Sequence, residues 1–113
     1  MRRLVIAAAA ATAMLLPIGT ATAVADRDTD FARELHGFGI YGQRDFNAWL
    51  VKITCKRLTT GVDADAAASA VFLSRNLART TSTEQVWQFL GAGIPRYCPE
   101  HIGALTAMSG DVK

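Results

Sequence analysis

Ile94-Pro95-Arg96-Tyr97-Cys98-Pro99 carries the second of two cysteines, and the fold follows from where that cysteine must go. Cys98 has one available mate in the chain, Cys55, and whatever lies between the two must fold so that they meet. Working outward, no run alternates apolar and polar residues as a half-buried strand would, while apolar residues recur at three- and four-residue spacing. The expected fold class is all-α, a small bundle of about four short helices stapled by one disulfide.

The staple follows from compartment and count. Two cysteines 43 positions apart in an exported chain make a single intramolecular disulfide the default, with one connectivity. Closing a loop of about 44 residues removes denatured-state entropy worth about 4 kcal/mol. That is a large share of the roughly 5–15 kcal/mol that holds a small domain together. A redox pair would need close spacing of the CxxC kind, and a zinc site would need further ligands. Neither is present, so Cys55 and Cys98 are read as structural and no metal site is expected.

Export itself is read from the N-terminus. Met1-Arg2-Arg3 precedes an apolar run from Leu4 to Leu16, which is followed by Pro17, Gly19 and small residues. This order is that of a secretory signal peptide, and the run is shorter than the roughly 20 residues that span a bilayer. Small-x-small sites at Ala21-Thr22-Ala23 and Ala23-Val24-Ala25 follow, and cleavage is expected after Ala25. The expected organisation is a signal peptide over residues 1–25, a helical domain over 26–108 and a disordered tail over 109–113.

Residues 26–113 carry ten Lys or Arg and ten Asp or Glu, so the mature domain is formally neutral. Net charge therefore gives no support to nucleic-acid binding. Lys52, Lys56 and Arg57 cluster locally and read as the solvated face of a helix.

Along the domain, Phe31 and Leu35 lie on a short first helix from about Thr29 to His36, with Asp28 or Thr29 as its cap. Gly37, Gly39 and Gly42 then interleave with Phe38, Ile40 and Tyr41, a turn that packs apolar side chains and lacks the spacing of a phosphate loop. A second helix is expected from about Asp45 to Thr59, with Phe46, Trp49, Leu50, Ile53 and Leu58 on its buried side and Gly61 ending it. A third, alanine-rich helix runs from Asp63 to Ala78. Ser82 and Gln85 form a capping box that starts the fourth, on which Val86, Phe89, Leu90, Gly93 and Tyr97 share a face. Pro95 predicts a kink or an end near Gly93, with an irregular turn holding Cys98. Glu100 to Met108 is expected to add a short helical turn.

Phe31-x-x-x-Leu35, the Gly39-Ile40 turn, Cys55 followed by Leu58 and Gly61, the Ser/Thr-rich step at 80–83 and Tyr97-Cys98-Pro99 appear in a fixed order. Together they resemble the actinobacterial, mainly mycobacterial, secreted proteins grouped as domain of unknown function family 732, over roughly residues 29–102. The resemblance implies a small exported helical domain with one disulfide and carries over no catalytic residues. In members of that family the segment before Tyr-Cys-Pro is usually a plain helix, and Pro95 departs from it.

No nucleophile is paired with a base, and no carboxylate dyad falls on one helix face, so the chain is not expected to be an enzyme; a hydrolase is the least favoured reading. The leading expectation is a monomeric binding or interaction module, secreted or associated with the cell envelope, whose partner is a protein or an envelope component. The alternative is a carrier of an apolar ligand, haem or lipid, held between helices. The side chains able to stack on or ligate such a ligand are His36, Tyr41, Trp49 and Tyr97, with His101 as a further histidine.

Overall fold

Gly39, Gly42 and Gly61 all adopt positive φ, at 81°, 123° and 81°, and they mark the points where the chain leaves one helix for the next. In the computed structural model, which describes residues 16–111, the helices are α1 (Leu16–Gly37), α2 (Arg44–Thr60), α3 (Ala66–Asn76), α4 (Thr83–Tyr97) and α5 (Ile102–Asp111). A 3-10 turn over Pro99–His101 joins α4 to α5, and the described residues contain no strand. The expected Arg2-Arg3 start and most of the apolar run after it lie outside the described residues. No described helix is long and apolar enough to cross a membrane.

The all-α class holds, with five helices among the described residues where four were expected in the domain. α1 is longer than its sequence pattern: it begins at Leu16 and passes through the expected cleavage site at Ala25. Pro17 sits in the first turn, where a missing amide costs nothing, and the alanine-rich stretch after it favours helix. Asp28 and Thr29 are thus interior residues, not caps. The last helix likewise extends the short turn expected after Pro99 to a full element reaching Asp111.

α1, α2, α3 and α4 run alternately down and up. Phe38 meets Gln85 at one end of the α1/α4 pair and Asp28 meets Tyr97 at the other, so those two helices are antiparallel. Val51 faces Gly93 and Cys55 faces Cys98, so α2 and α4 run in the same direction. The centre is apolar and closed, with Phe31, Leu35, Leu50, Val51, Leu73, Phe89, Leu90 and Ile94 all fully buried. The ring of Phe31 packs edge-on against Phe89 and Tyr97, each at 5.3 Å between centroids. α5 lies over α3 and α4 at the side.

One feature of α4 corrects the sequence reading and another explains it. The helix continues through Pro95 to Tyr97 and does not end near Gly93. Pro95 stands in the last turn on the exposed face, so only one hydrogen bond, to the carbonyl of Gly91, is given up, and the Cys98 amide still donates to Ile94 at 2.8 Å. Gly93 is buried for a reason of space: a Cβ there would lie 2.5 Å from Val51 Cγ2 and 3.4 Å from the Phe31 ring. The absent side chain is what lets α4 settle onto α2.

On α2 the buried residues are Asn47, Ala48, Leu50, Val51 and Thr54, which leaves Phe46 and Trp49 on the outside, Trp49 with 54% of its surface exposed. The core reading of Trp49 is therefore wrong. The helix carries two apolar stripes one residue out of register, and the aliphatic one is the stripe that meets the core.

Beyond Gly61 the chain is tied down by Asp63, which is buried and lies outside α3. It accepts from Arg57 Nε and Nη2 at 3.0 and 2.9 Å and from the Ser69 hydroxyl at 2.9 Å. The Arg57 guanidinium also lies 4.1 Å over the Phe72 ring. Arg57 is thus not part of a solvated face, and the cap of α3 is Asp65, which accepts from the Ala68 amide at 2.9 Å.

Cys55 and Cys98 are bonded, with their Cα atoms 5.9 Å apart. Replacing both with alanine is expected to lower stability by about 3 kcal/mol. Gly93→Ala, which forces the overlap with Val51, is expected to cost about 1–3 kcal/mol. Urea unfolding followed by circular dichroism measures both, and a Gly93→Ala midpoint equal to that of the parent would mean that the helices have room to part.

Candidate functional site

At the end of the bundle away from the disulfide, the α1–α2 loop and the α3–α4 loop stand side by side and leave an open groove of about 410 Å³. Its walls are Gly39, Ile40, Tyr41 and Gly42 from one loop and Leu77, Ala78, Thr80 and Thr81 from the other, with Gln85 between them. The volume lies within the roughly 300–1,000 Å³ of small-molecule sites. A second, shallower groove of about 200 Å³ lies between α3 and α4 and includes Val71 and Trp87.

The shape of the first groove follows from its glycines and one glutamine. Gly39 and Gly42 take left-handed backbone on either side of Ile40 and Tyr41, so the chain turns twice within four residues. Ile40 is sent into the core and Tyr41 out to the rim, 4% and 71% exposed respectively. Gln85 then clamps the two loops. Its Oε1 accepts from the Ser82 amide at 2.8 Å, its own amide is capped by Ser82 Oγ at 3.1 Å, and its Nε2 donates to the Phe38 carbonyl at 3.0 Å. The capping box was legible in the sequence; the third bond, which spans 47 residues, was not. A Cβ on Gly39 would come within 3.1 Å of Gln85 Nε2, a measure of how closely the loop is held.

The structure separates the four residues singled out in the sequence. His36 and Tyr41 come together at the groove end, with ring centroids 5.3 Å apart and planes inclined at 59°. Trp49 lies on the outer face of α2 beside Phe46, at 5.9 Å between rings. Tyr97 lies at the opposite end of the bundle, where its hydroxyl donates to Asp28 Oδ1 at 2.5 Å and its ring meets Phe31. His101 Nε2 is 2.8 Å from the Thr59 hydroxyl and ties the 3-10 turn to the end of α2. No single ligand can touch all four residues. Thr80, Thr81 and Gln85 complete the groove and went unremarked as site residues, because only the fold brings the 80–85 segment beside the 39–42 turn.

A family model described as protein of unknown function, DUF732, matches residues 26–100, a span that contains both cysteines, Tyr97 and every residue of the groove. This chain belongs to the DUF732 family. Two uncharacterized proteins of Mycobacterium tuberculosis, MT0585 of strain CDC 1551 and Rv0559c of strain H37Rv, are each 59% identical to it over 80 residues, 71% of this chain and 71% of theirs. No solved structure matches the chain.

In this DUF732 domain the end opposite the groove is a polar lock. Besides the Tyr97–Asp28 bond, Lys52 Nζ lies 3.6 Å from Asp28 Oδ2, and Arg96 Nη2 pairs with Glu34 Oε1 at 2.6 Å. The Arg27 guanidinium and Lys52 ammonium lie 5.2 and 5.8 Å from the centre of the Tyr97 ring. Burial raises the pKa of the Tyr97 phenol well above the ordinary tyrosine value; the bond to Asp28 and the negative charge of that carboxylate push the same way, against Arg27 and Arg96. A pKa raised in the folded state favours the neutral phenol there, so this stabilisation is complete below about pH 10, the unfolded tyrosine value, and fades as pH climbs beyond it. Ultraviolet titration of the native protein is expected to show Tyr97 ionising only above the ordinary tyrosine range, together with alkaline unfolding. In Tyr97→Phe that late step should be missing.

Proposed function

We propose that this DUF732 protein is an exported, non-catalytic binding module that works as a monomer in the cell envelope or the surrounding medium. The observation that carries the reading is the groove at the loop end, set on a closed apolar core and lined by no carboxylate, histidine or cysteine. Such a lining recognises a ligand through shape, an aromatic ring and neutral hydrogen-bonding groups, and holds no acid–base pair with which to transform it. A disulfide-stapled domain without a membrane-length helix among its described residues suits the export expected from the N-terminus.

The test uses the mature chain beginning at Asp26 and the insoluble envelope fraction of a mycobacterium. The parent protein is expected to co-sediment with that fraction. Ala78→Trp, which fills the groove from an exposed position, is expected to remain in the supernatant with its thermal midpoint unchanged. Equal sedimentation of the two, or none by the parent, would overturn the reading.

A second reading, haem carriage, draws on the approach of His36 to Tyr41, since an imidazole and a phenol are both haem ligands. It requires that haem binding be lost when both are replaced, and a Soret titration that is indifferent to the double change would end it.

A further inference from the structure

We infer that the loop-end groove is a subsite for a neutral saccharide, with Tyr41 as the platform on which a sugar ring lies. This deepens the binding role proposed above and rests on it. The chemistry of the lining selects the class by exclusion. Among the nine lining residues there is no Lys, Arg or His to hold a phosphate or carboxylate, and no Asp or Glu to hold an amine. A purely apolar ligand suits the groove no better. Ile40, Leu77 and Ala78 offer it contact, but the hydroxyls of Thr80 and Thr81, which make no hydrogen bond within the described residues, would lose water and gain nothing. A pyranose ring presents what both kinds of wall require, a face of C–H groups and an edge of hydroxyls.

The aromatic ring is already placed for such a ligand. His36 is outside the groove lining, and its ring meets Tyr41 at 5.3 Å with the planes inclined at 59°, a tilted contact that leaves most of the Tyr41 surface exposed. With 71% of its surface exposed, Tyr41 offers an electron-rich face, and C–H groups carry the complementary positive edge. The left-handed glycines at 39 and 42 fix the backbone on both sides of this ring, and Gln85 fixes the opposite loop. Little ordering is then left for the ligand to impose, and preorganisation of this kind favours affinity. His36 acts through Tyr41 as a positioning residue, and Thr80 and Thr81 supply the hydrogen bonds.

The experiment is an amide NMR titration of the mature chain with maltose and with mannobiose to about 20 mM, the concentration range at which millimolar affinities are read. An uncharged blocked tri-alanine serves as the comparator. At least one disaccharide is expected to shift amides within 39–42 and 77–85 and to leave those around Cys55 and Cys98 in place. Tyr41→Ala should weaken the affinity about tenfold, while Tyr41→Phe keeps it within about twofold, because the ring and not its hydroxyl is the platform. His36→Ala should weaken it by about threefold, with His36→Phe restoring it, a rescue that a merely structural histidine would not show. Disaccharides that leave the groove amides unmoved, a tri-alanine that moves them more strongly, or affinity indifferent to Tyr41→Ala would each overturn the assignment. If envelope sedimentation still depends on an open groove when the sugars fail, the ligand class falls and the binding role stands; if sedimentation fails as well, both fall.

Discussion

α2 and α4 lie so close that the helix between Phe89 and Tyr97 has no room for a side chain at Gly93, and much of the structure depends on that contact. Val51 and Phe31 occupy the space a Cβ would take, so three helices meet at one glycine. One turn further along, Cys55 and Cys98 bond the same two helices. The two constraints differ in kind. Close packing at Gly93 lowers the energy of the folded state through dispersion, whereas the disulfide acts largely by removing conformations from the unfolded chain. Both fix α2 against α4 in one register.

That register places everything else. With Val51 at Gly93, the polar side chains of α1 fall opposite the end of α4, and the Tyr97–Asp28 and Arg96–Glu34 contacts gather beside the disulfide. These contacts are only partly buried and add modestly to stability. Arg57, Asp63 and Ser69 do more at the α2–α3 step. There a buried carboxylate has each oxygen bonded, and removal of Arg57 would leave its charge stranded in the interior. The consequence is a bundle locked at one end and along its middle, with its two remaining loops at the other end.

The sequence disclosed what a short motif or a simple count announces. Ser82 and Gln85, three residues apart, announced the start of α4; Gly61 announced the end of α2; and two cysteines with no third left one pairing. What it hid depends on comparing stripes or on bringing distant segments together. Phe46, Trp49 and Ile53 form as good an apolar stripe as Leu50, Val51 and Leu58, and periodicity alone prefers the larger residues. Only the neighbouring helices decide, and they select the smaller, aliphatic side together with Asn47 and Thr54. Pro95 misled for a related reason. The rule that proline breaks helices prices a lost hydrogen bond in mid-helix, but here the loss falls in a last, exposed turn that Cys98 and the following 3-10 turn hold in place.

The groove illustrates the same limit at the functional level. The Gly37 to Gly42 stretch predicts a turn that packs Phe38, Ile40 or Tyr41, and two of the three turn inward, Ile40 fully and Phe38 in part. Tyr41 is the exception because Gly39 and Gly42 have φ of opposite sign to ordinary residues, and the peptide between them presents adjacent side chains to opposite sides. The Tyr41 ring is left largely in water and takes no part in the closed core. The bundle is closed without it, held by Gly93, the disulfide and Asp63 at sites well removed from the loops. Those constraints fix the fold without help from the loops at the open end, and it is there that Tyr41, Thr80 and Thr81 stand together.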